Sequence, residues 1–436
     1  MPGVPHQIAP ALQTIQPLAS LCSMLPSNDY FLVGGCLRDA LLGLPIHDLD
    51  IVACCDPTEL AQQFADRHGA PWFWLDRDRR LSRVLVEHDN SCLSFDFAPL
   101  RAAELIADLA ARDFTINSMA LGLHSSLAND ELIDPHDGLS DLHHSCLRMC
   151  GPRSFVADPL RILKGIRHAV ALGFVLEEET SQAMIHNGWR LKHVAVERLR
   201  KEIWTTLAHH AAENGLQILA ATGVGAIFWG EGFDDRLERL VSRLRQCRQS
   251  WCQLVQDHSV VAGWLVEDVE PDLPREVMLI WTELLSVIDP TLPASLAEDW
   301  RFSRRARARI KGVSSLSREL VAELCRLPRR PRLLTLWARK HGLDPGDLLL
   351  TAVTRCNDEQ LGDLMSWIPL AGEAQQLSPV DLVDGAWLNA KLGIPFGPEV
   401  GEVMELVREQ EFLGKVIDRQ SAEDFLLSHW LGIAEK

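Results

Sequence analysis

No run of residues in this chain is long and apolar enough to span a membrane, and its opening lacks the basic start and apolar core of a secretory leader. A cytoplasmic setting without membrane association is therefore expected. There is no C-x-x-C pair either, which excludes the commonest redox and zinc spacing. The 11 cysteines, with Cys54-Cys55 adjacent, are expected to be mostly reduced core residues. No repeat of fixed period appears along the helical part of the chain. The cluster from His143 to Cys150 lacks a second ligand pair at zinc-site spacing, and its alternating Cys146, Arg148 and Cys150 read as a strand. Positive charge is also short, with 43 basic against 60 acidic residues and a net charge of −17. A uniformly acidic surface would repel nucleic acid.

The shortage is uneven. Between Trp300 and Lys340 the chain carries thirteen Lys and Arg, opposed only by Glu319 and Glu323. Within it, Arg301, Arg304, Arg305, Arg307, Arg309 and Lys311 exceed what solubility needs and are candidates for RNA phosphate contact; the alternative is a solvated helix face. Hydrophobic residues make up 47% of the chain, enough for cored domains. Its 436 residues suggest about three domains.

The densest chemistry lies near the start. Gly34-Gly35 lets the backbone approach a phosphate and offer N–H groups to it. Arg38 adds a permanent, planar positive charge. Asp48 and Asp50 are two apart, which on a strand places both carboxylates on one face, and such a pair of hard oxygen ligands suits Mg²⁺. Asp96, alternating with apolar neighbours on an expected strand, is a possible third carboxylate or simply a solvated strand end.

The segment from Gly34 to Gly43, followed by His47-Asp48-Leu49-Asp50-Ile51-Val52, resembles the head of the class II tRNA nucleotidyltransferase and bacterial poly(A) polymerase family. A second segment, Arg112-Asp113-Phe114-Thr115-Ile116-Asn117, resembles the family's ribose-recognising stretch, which implicates Arg112, Asp113 and Asn117; the family usually has a further Arg where Ala111 stands. A third, Asp158-Pro159-Leu160-Arg161, resembles its nucleobase-selecting helix. Asp158 and Arg161 are three apart, hence on one helical face. A carboxylate beside a guanidinium matches the Watson–Crick edge of C or A and mismatches U and G; taken alone the pair reads as a surface ion pair, and the two earlier motifs favour the base-reading role. Lys164 and Arg167 follow on the same helix as further nucleotide-binding candidates. Glu197 to Ile203 resembles the last neck motif and reads as structural support, and Leu392 to Gly401 echoes the family's tail.

The resemblance implies an α+β fold: a small mixed α/β head (1–150), then an all-α neck (151–206), body (207–340) and tail (341–436). It implies template-independent addition of nucleotides to the tRNA 3′ end. The expected cofactors are two Mg²⁺ ions held by Asp48 and Asp50, the substrates are CTP and ATP, and the partner is the tRNA 3′ end; the oligomeric state stays open. Poly(A) polymerases of the family carry a Gly-basic-basic-Phe stretch after the metal motif, where this chain reads Leu75-Asp76-Arg77-Asp78-Arg79-Arg80-Leu81. The connection from Arg101 to Arg112 is short where members that add the terminal A carry a longer flexible loop. The expectation is therefore CC addition, with full CCA addition, poly(A) addition and an inactive RNA-binding protein as alternatives.

Overall fold

Strand β2 (Asp48–Ala53) shows how sequence alternation becomes architecture. Leu49 and Ile51 are fully buried on one face, while Asp48 and Asp50 occupy the other. In this computed structural model, which describes residues 12–89, 91–123, 132–376, 382–395 and 397–434, the chain divides into two units, Met1–Phe228 and Trp229–Lys436. Phe396, within the tail segment read above, lies outside the described residues, as does Asn90.

The first unit opens with α1 (Gln16–Cys22) and is built on a seven-stranded mixed sheet. Its members are β1 (Tyr30–Val33), β2, β3 (Trp72–Asp76), β4 (Leu81–His88), β5 (Ser91–Pro99), β6 (Ala120–Gly122) and β7 (Leu132–Ile133), in the order β3-β4-β5-β2-β1-β6-β7. Only the β2–β5 pair is parallel; it sets Asp48 opposite Ser94 and Asp50 opposite Asp96. Strands β4 and β5 form an antiparallel hairpin that sets Ser82 opposite Phe97 and His88 opposite Ser91. Helix α2 (Gly35–Leu42) joins β1 to β2, and α3 (Thr58–His68) covers the sheet, stacking Phe64 on Phe95 at 4.9 Å. Between β5 and β6 the chain forms α4 (Leu105–Ala110) and a 3-10 turn at Thr115–Asn117.

Helix α5 (Gly138–His143) packs tightly on that turn. A Cβ at Gly138 would lie 2.3 Å from the Thr115 carbonyl oxygen, so no other residue fits there. The strand expected over Cys146 to Cys150 shrinks to β8 (Cys146–Leu147). It stands apart from the large sheet and pairs in parallel with β9 (Val175–Leu176); beyond it the chain turns to the 113–115 segment, where Met149 forms an isolated antiparallel bridge with Phe114. Helices then dominate: α6 (Ser154–Ala157), α7 (Arg161–Leu172), α8 (Glu178–Asn187), a 3-10 helix at Gly188–His193, α9 (Val196–Ala208) and α10 (Ala212–Ala221). The mixed sheet followed by helices is the α+β arrangement expected.

Among its described residues the second unit is helical apart from a short hairpin, Asp268–Glu270 with Leu273–Pro274. Its core stacks Trp281 on Phe302 at 5.2 Å and buries Trp251, whose indole N–H donates to the Leu350 carbonyl. A separate small core gathers Val383, Leu388, Ile394, Val403 and Leu426 near the C-terminus. The basic run becomes a helix, Arg304–Ser315, started by the Ser303 side chain. Its buried stripe is Ala306, Arg309, Ile310 and Val313. Arg309 therefore corrects the reading of six solvent-facing cations: it is 5% exposed and bonded through Nε to Asp347, which is wholly buried. Arg275, also buried, approaches the same carboxylate at 3.1 Å. Arg307 lies 3.8 Å from Glu298, while Arg301, Arg304, Arg305 and Lys311 are exposed.

All 11 cysteines are free, but only Cys22, Cys36 and Cys247 are buried, so they are less a core feature than expected. No helix among the described residues is long and apolar enough to cross a membrane.

Candidate active site

Gly34 ends β1 with φ +84°, a left-handed conformation open chiefly to glycine, and α2 starts one residue later. A side chain at position 34 would meet the Asp50 carboxylate at 3.0 Å and the Arg112 guanidinium at 3.2 Å. The backbone thus passes against both groups, and the α2 N-terminus opens beside them. Asp50 and Gly35 lie between two cavities. One is a cleft of about 880 Å³ lined by Gly34, Arg79, Arg80, Arg101, Arg112, Asp113, Asn117, Asp158, Arg161 and Lys164. The other, of about 290 Å³, is lined by Arg38, Asp39, His47, Asp48, Asn117 and His168.

The two strand carboxylates differ in surroundings. Asp48 is exposed and accepts a hydrogen bond from the buried Ser94 hydroxyl. Asp50 is half-buried; burial pushes its carboxyl up, Asp96 and Asp48 add to that, and Arg112 and Arg101 oppose it. Crowded hard oxygens of this kind fit a divalent cation, which would relieve their repulsion. Asp96 is adjacent, but both its oxygens are engaged by Arg83, at 2.6 and 2.8 Å. Among the described residues no three His, Cys, Asp or Glu side chains gather as a ready-made metal site. The residues that could hold such a cation are Asp48 and Asp50, with Asp96 beside them paired to Arg83.

Polar side chains chain together behind the glycines. Arg38 grips Asp39 through Nε and Nη2 and donates through Nη1 to the Asn117 amide oxygen at 2.7 Å. Asn117 donates in turn to Asp113, which also accepts the Phe114 N–H. Burial works against the Asp113 charge, but His168, Lys164 and those hydrogen bonds outweigh it and hold the carboxyl below its ordinary range. Burial, with Arg167 and Arg38 beside it, pushes the His168 imidazole well below its ordinary range, against the pull of Asp113. Arg112 is 3.3 Å from the buried Asp108, and its Nε has no hydrogen-bond partner among the described residues.

Asp158 does not stand on the helix that follows it. Its backbone is extended, and α7 begins only at Arg161. The reason is Pro159, whose ring disfavours helical geometry in the preceding residue. The two side chains still reach one cleft, but not each other. Asp158 accepts the Leu160 N–H and pairs with Arg198 at 2.9 Å. Arg161 donates to the carbonyls of Arg112 and Ala111 and to Ser154 Oγ, so the position that lacks the family's second Arg contributes its backbone. Lys164 lines the cleft; Arg167 does not, because one turn on it meets Glu202 at 2.7 Å and ties α7 to α9. Arg198, Asp108, Ser94 and Arg83 are the partners that sequence reasoning did not assign to the site.

This geometry agrees with what the chain resembles. Residues 30–148 match a family profile described as "Poly A polymerase head domain", and residues 173–229 match "Probable RNA and SrmB- binding site of polymerase A". A CC-adding tRNA nucleotidyltransferase of Geobacter sulfurreducens is 30% identical over 431 residues, covering 96% of this chain and 97% of that one. The chain belongs to the tRNA nucleotidyltransferase and bacterial poly(A) polymerase family. It is accordingly an enzyme of the nucleotidyltransferase type. A CCA-adding enzyme of Lactiplantibacillus plantarum is 34% identical over 67% of this chain and 72% of its own. A solved CCA-adding enzyme with ATP shares the fold, with a TM-score of 0.65 at 21% identity over 96% of this chain and 95% of that one.

Proposed function

We propose that this nucleotidyltransferase extends the 3′ end of tRNA without a nucleic-acid template and stops after two cytidines. The observation that carries the second half is the Arg101-to-Arg112 connection. It is filled by the six-residue helix α4, whose buried Asp108 accepts the Arg101 backbone N–H at 2.8 Å and pairs with Arg112. An anchored helix leaves no long mobile segment to reshape the base pocket between C and A. Relatives carry names for CC addition, CCA addition and A addition alike, so the CC reading rests on the connection alone.

In the proposed mechanism Asp48 and Asp50 would hold Mg²⁺, which would supply Lewis-acid activation of the RNA 3′-OH and neutralise charge on the departing pyrophosphate. The α2 N-terminus and Arg38 receive the triphosphate. Asp113, Asn117 and Arg112 orient the ribose from the cleft wall that they line. Asp158 and Arg161 read the base. Arg198 and the Leu160 N–H use only part of the Asp158 acceptor capacity, and the Arg161 contacts leave Nε and one Nη2 hydrogen for a ring nitrogen. Positioning and charge neutralisation then supply the catalysis, as in phosphoryl transfer generally. Arg301, Arg304, Arg305, Arg307 and Lys311 contact tRNA phosphates from the second unit.

The test is incubation of tRNA ending at its discriminator base with CTP, with ATP, and with both. Growth by two nucleotides with CTP, unchanged when ATP is added, is the expected result. Growth by three overturns the CC assignment, long A tracts would mean poly(A) addition, and no growth would leave an RNA-binding protein.

A further inference from the structure

The 3-10 helix at Gly188–His193, between α8 and α9, exposes an aromatic side chain among cations. Trp189 is 51% exposed. A single exposed apolar residue is ordinary. This one is held in place. The Arg190 guanidinium lies over its ring, 4.7 Å from the centroid, and the His193 ring meets it edge-on at 5.9 Å. Arg190 is fixed in turn by Asn187, whose amide oxygen accepts its Nε–H at 3.0 Å and whose amide nitrogen donates to the Ala183 carbonyl. Asn187 is 5% exposed, so the clamp is anchored in the core. At Gly188 a Cβ would come within 2.9 Å of Ile227, which pins the turn that carries the ring.

Charge points the same way. Between Glu179 and Glu197 there is no acidic residue, in a chain whose net charge is −17, while Arg190, Lys192 and two histidines fall in that stretch. Lys192 and His193 are exposed. The segment leads directly into α9, whose first turn carries Arg198 onto Asp158 in the cleft.

A rigid, half-open indole flanked by cations is the arrangement that stacks an unpaired base while neighbouring charges meet its phosphates. We propose that Trp189, clamped by Arg190 and flanked by Lys192 and His193, is a stacking platform for an unpaired base of the RNA substrate. The proposal rests on tRNA being that substrate. Trp189 holds RNA; it takes no part in nucleotide choice or in the transfer itself.

The experiment compares wild-type protein with Trp189→Ala, Trp189→Leu and Trp189→Phe, using tRNA that lacks its 3′ nucleotides. Dissociation constants for tRNA and KM for CTP are measured alongside thermal melts. Trp189→Ala should weaken tRNA binding about tenfold at unchanged KM for CTP. Trp189→Phe should restore most of the affinity, and Trp189→Leu, apolar but without a π-face, should not. Wild-type affinity in the folded Ala variant, or full rescue by Leu, overturns the platform while leaving the tRNA reading intact. Wild-type protein that neither binds nor extends tRNA overturns both.

Discussion

The carboxylate of Asp158 is held 2.9 Å from the guanidinium of Arg198, forty residues further along the chain. Arg198 is 53% exposed and Asp158 29%, so the pair adds little to stability. Its consequence is positional: Asp158 is kept in the cleft instead of turning onto Arg161.

Arg198→Ala should therefore leave the melting temperature close to wild type while relaxing base choice. The ratio of kcat/KM for CTP to that for UTP should fall about tenfold, because a misplaced carboxylate no longer rejects the wrong edge. Arg198→Lys should restore part of the ratio. Unchanged discrimination in Arg198→Ala would mean that the pair is a surface contact only.

Asp48→Ala and Asp50→Ala should each reduce nucleotide incorporation at least about a thousandfold, since two ligands on one strand face cannot substitute for each other in holding Mg²⁺. Stability should move the other way at position 50. Asp50 sits among Asp48 and Asp96, and Asp50→Asn removes that repulsion. Its melting temperature without Mg²⁺ should equal or exceed that of wild type. Incorporation at wild-type rates by either Ala variant would remove the metal assignment.

Arg309 and its exposed neighbours should separate cleanly. Arg309→Ala leaves Asp347 buried with less compensation and should destabilise the protein by about 3–5 kcal/mol, read from denaturant melts. Arg304, Arg305, Arg307 and Lys311 changed together to Ala should spare stability and weaken tRNA binding. Each lost phosphate contact should flatten the slope of log K against log salt by about 0.7 to 0.9. A salt slope equal to wild type would show that this face is merely solvated.

These cases mark what a single sequence could disclose. The Asp48–Asp50 spacing needed only strand alternation, a local rule that the burial of Leu49 and Ile51 obeys. The inward turn of Arg309 was legible too, because it lies on the i, i+3, i+4, i+7 stripe with Ala306, Ile310 and Val313. The extended backbone at Asp158 could likewise have been read from Pro159. Long-range partners could not. Arg167 meets Glu202 across 35 residues and Arg309 meets Asp347 across 38, and no local pattern states which carboxylate an arginine will find. Asp108 is intermediate: its i, i+4 spacing to Arg112 was visible, but its burial was not.

Asp108 also bears on the number of nucleotides added. It is 1% exposed and joins the Arg101 backbone N–H to the Arg112 guanidinium, so the short connection is tied at both ends. Asp108→Ala should orphan the Arg101 N–H and free Arg112, costing about 1–3 kcal/mol of stability and raising KM for CTP. It should not confer A addition, because loosening six helical residues does not create a long lever. Replacing 102–111 with a longer flexible loop tests the point directly. If length is what limits the pocket to C, the wild-type chain given CTP and ATP should stop at two nucleotides, the Asp108→Ala variant should stop there more slowly, and the loop-extended variant should begin to add a third. A third nucleotide, A, from the wild-type chain would show that a tied connection does not prevent Asp158 and Arg161 from accommodating a purine.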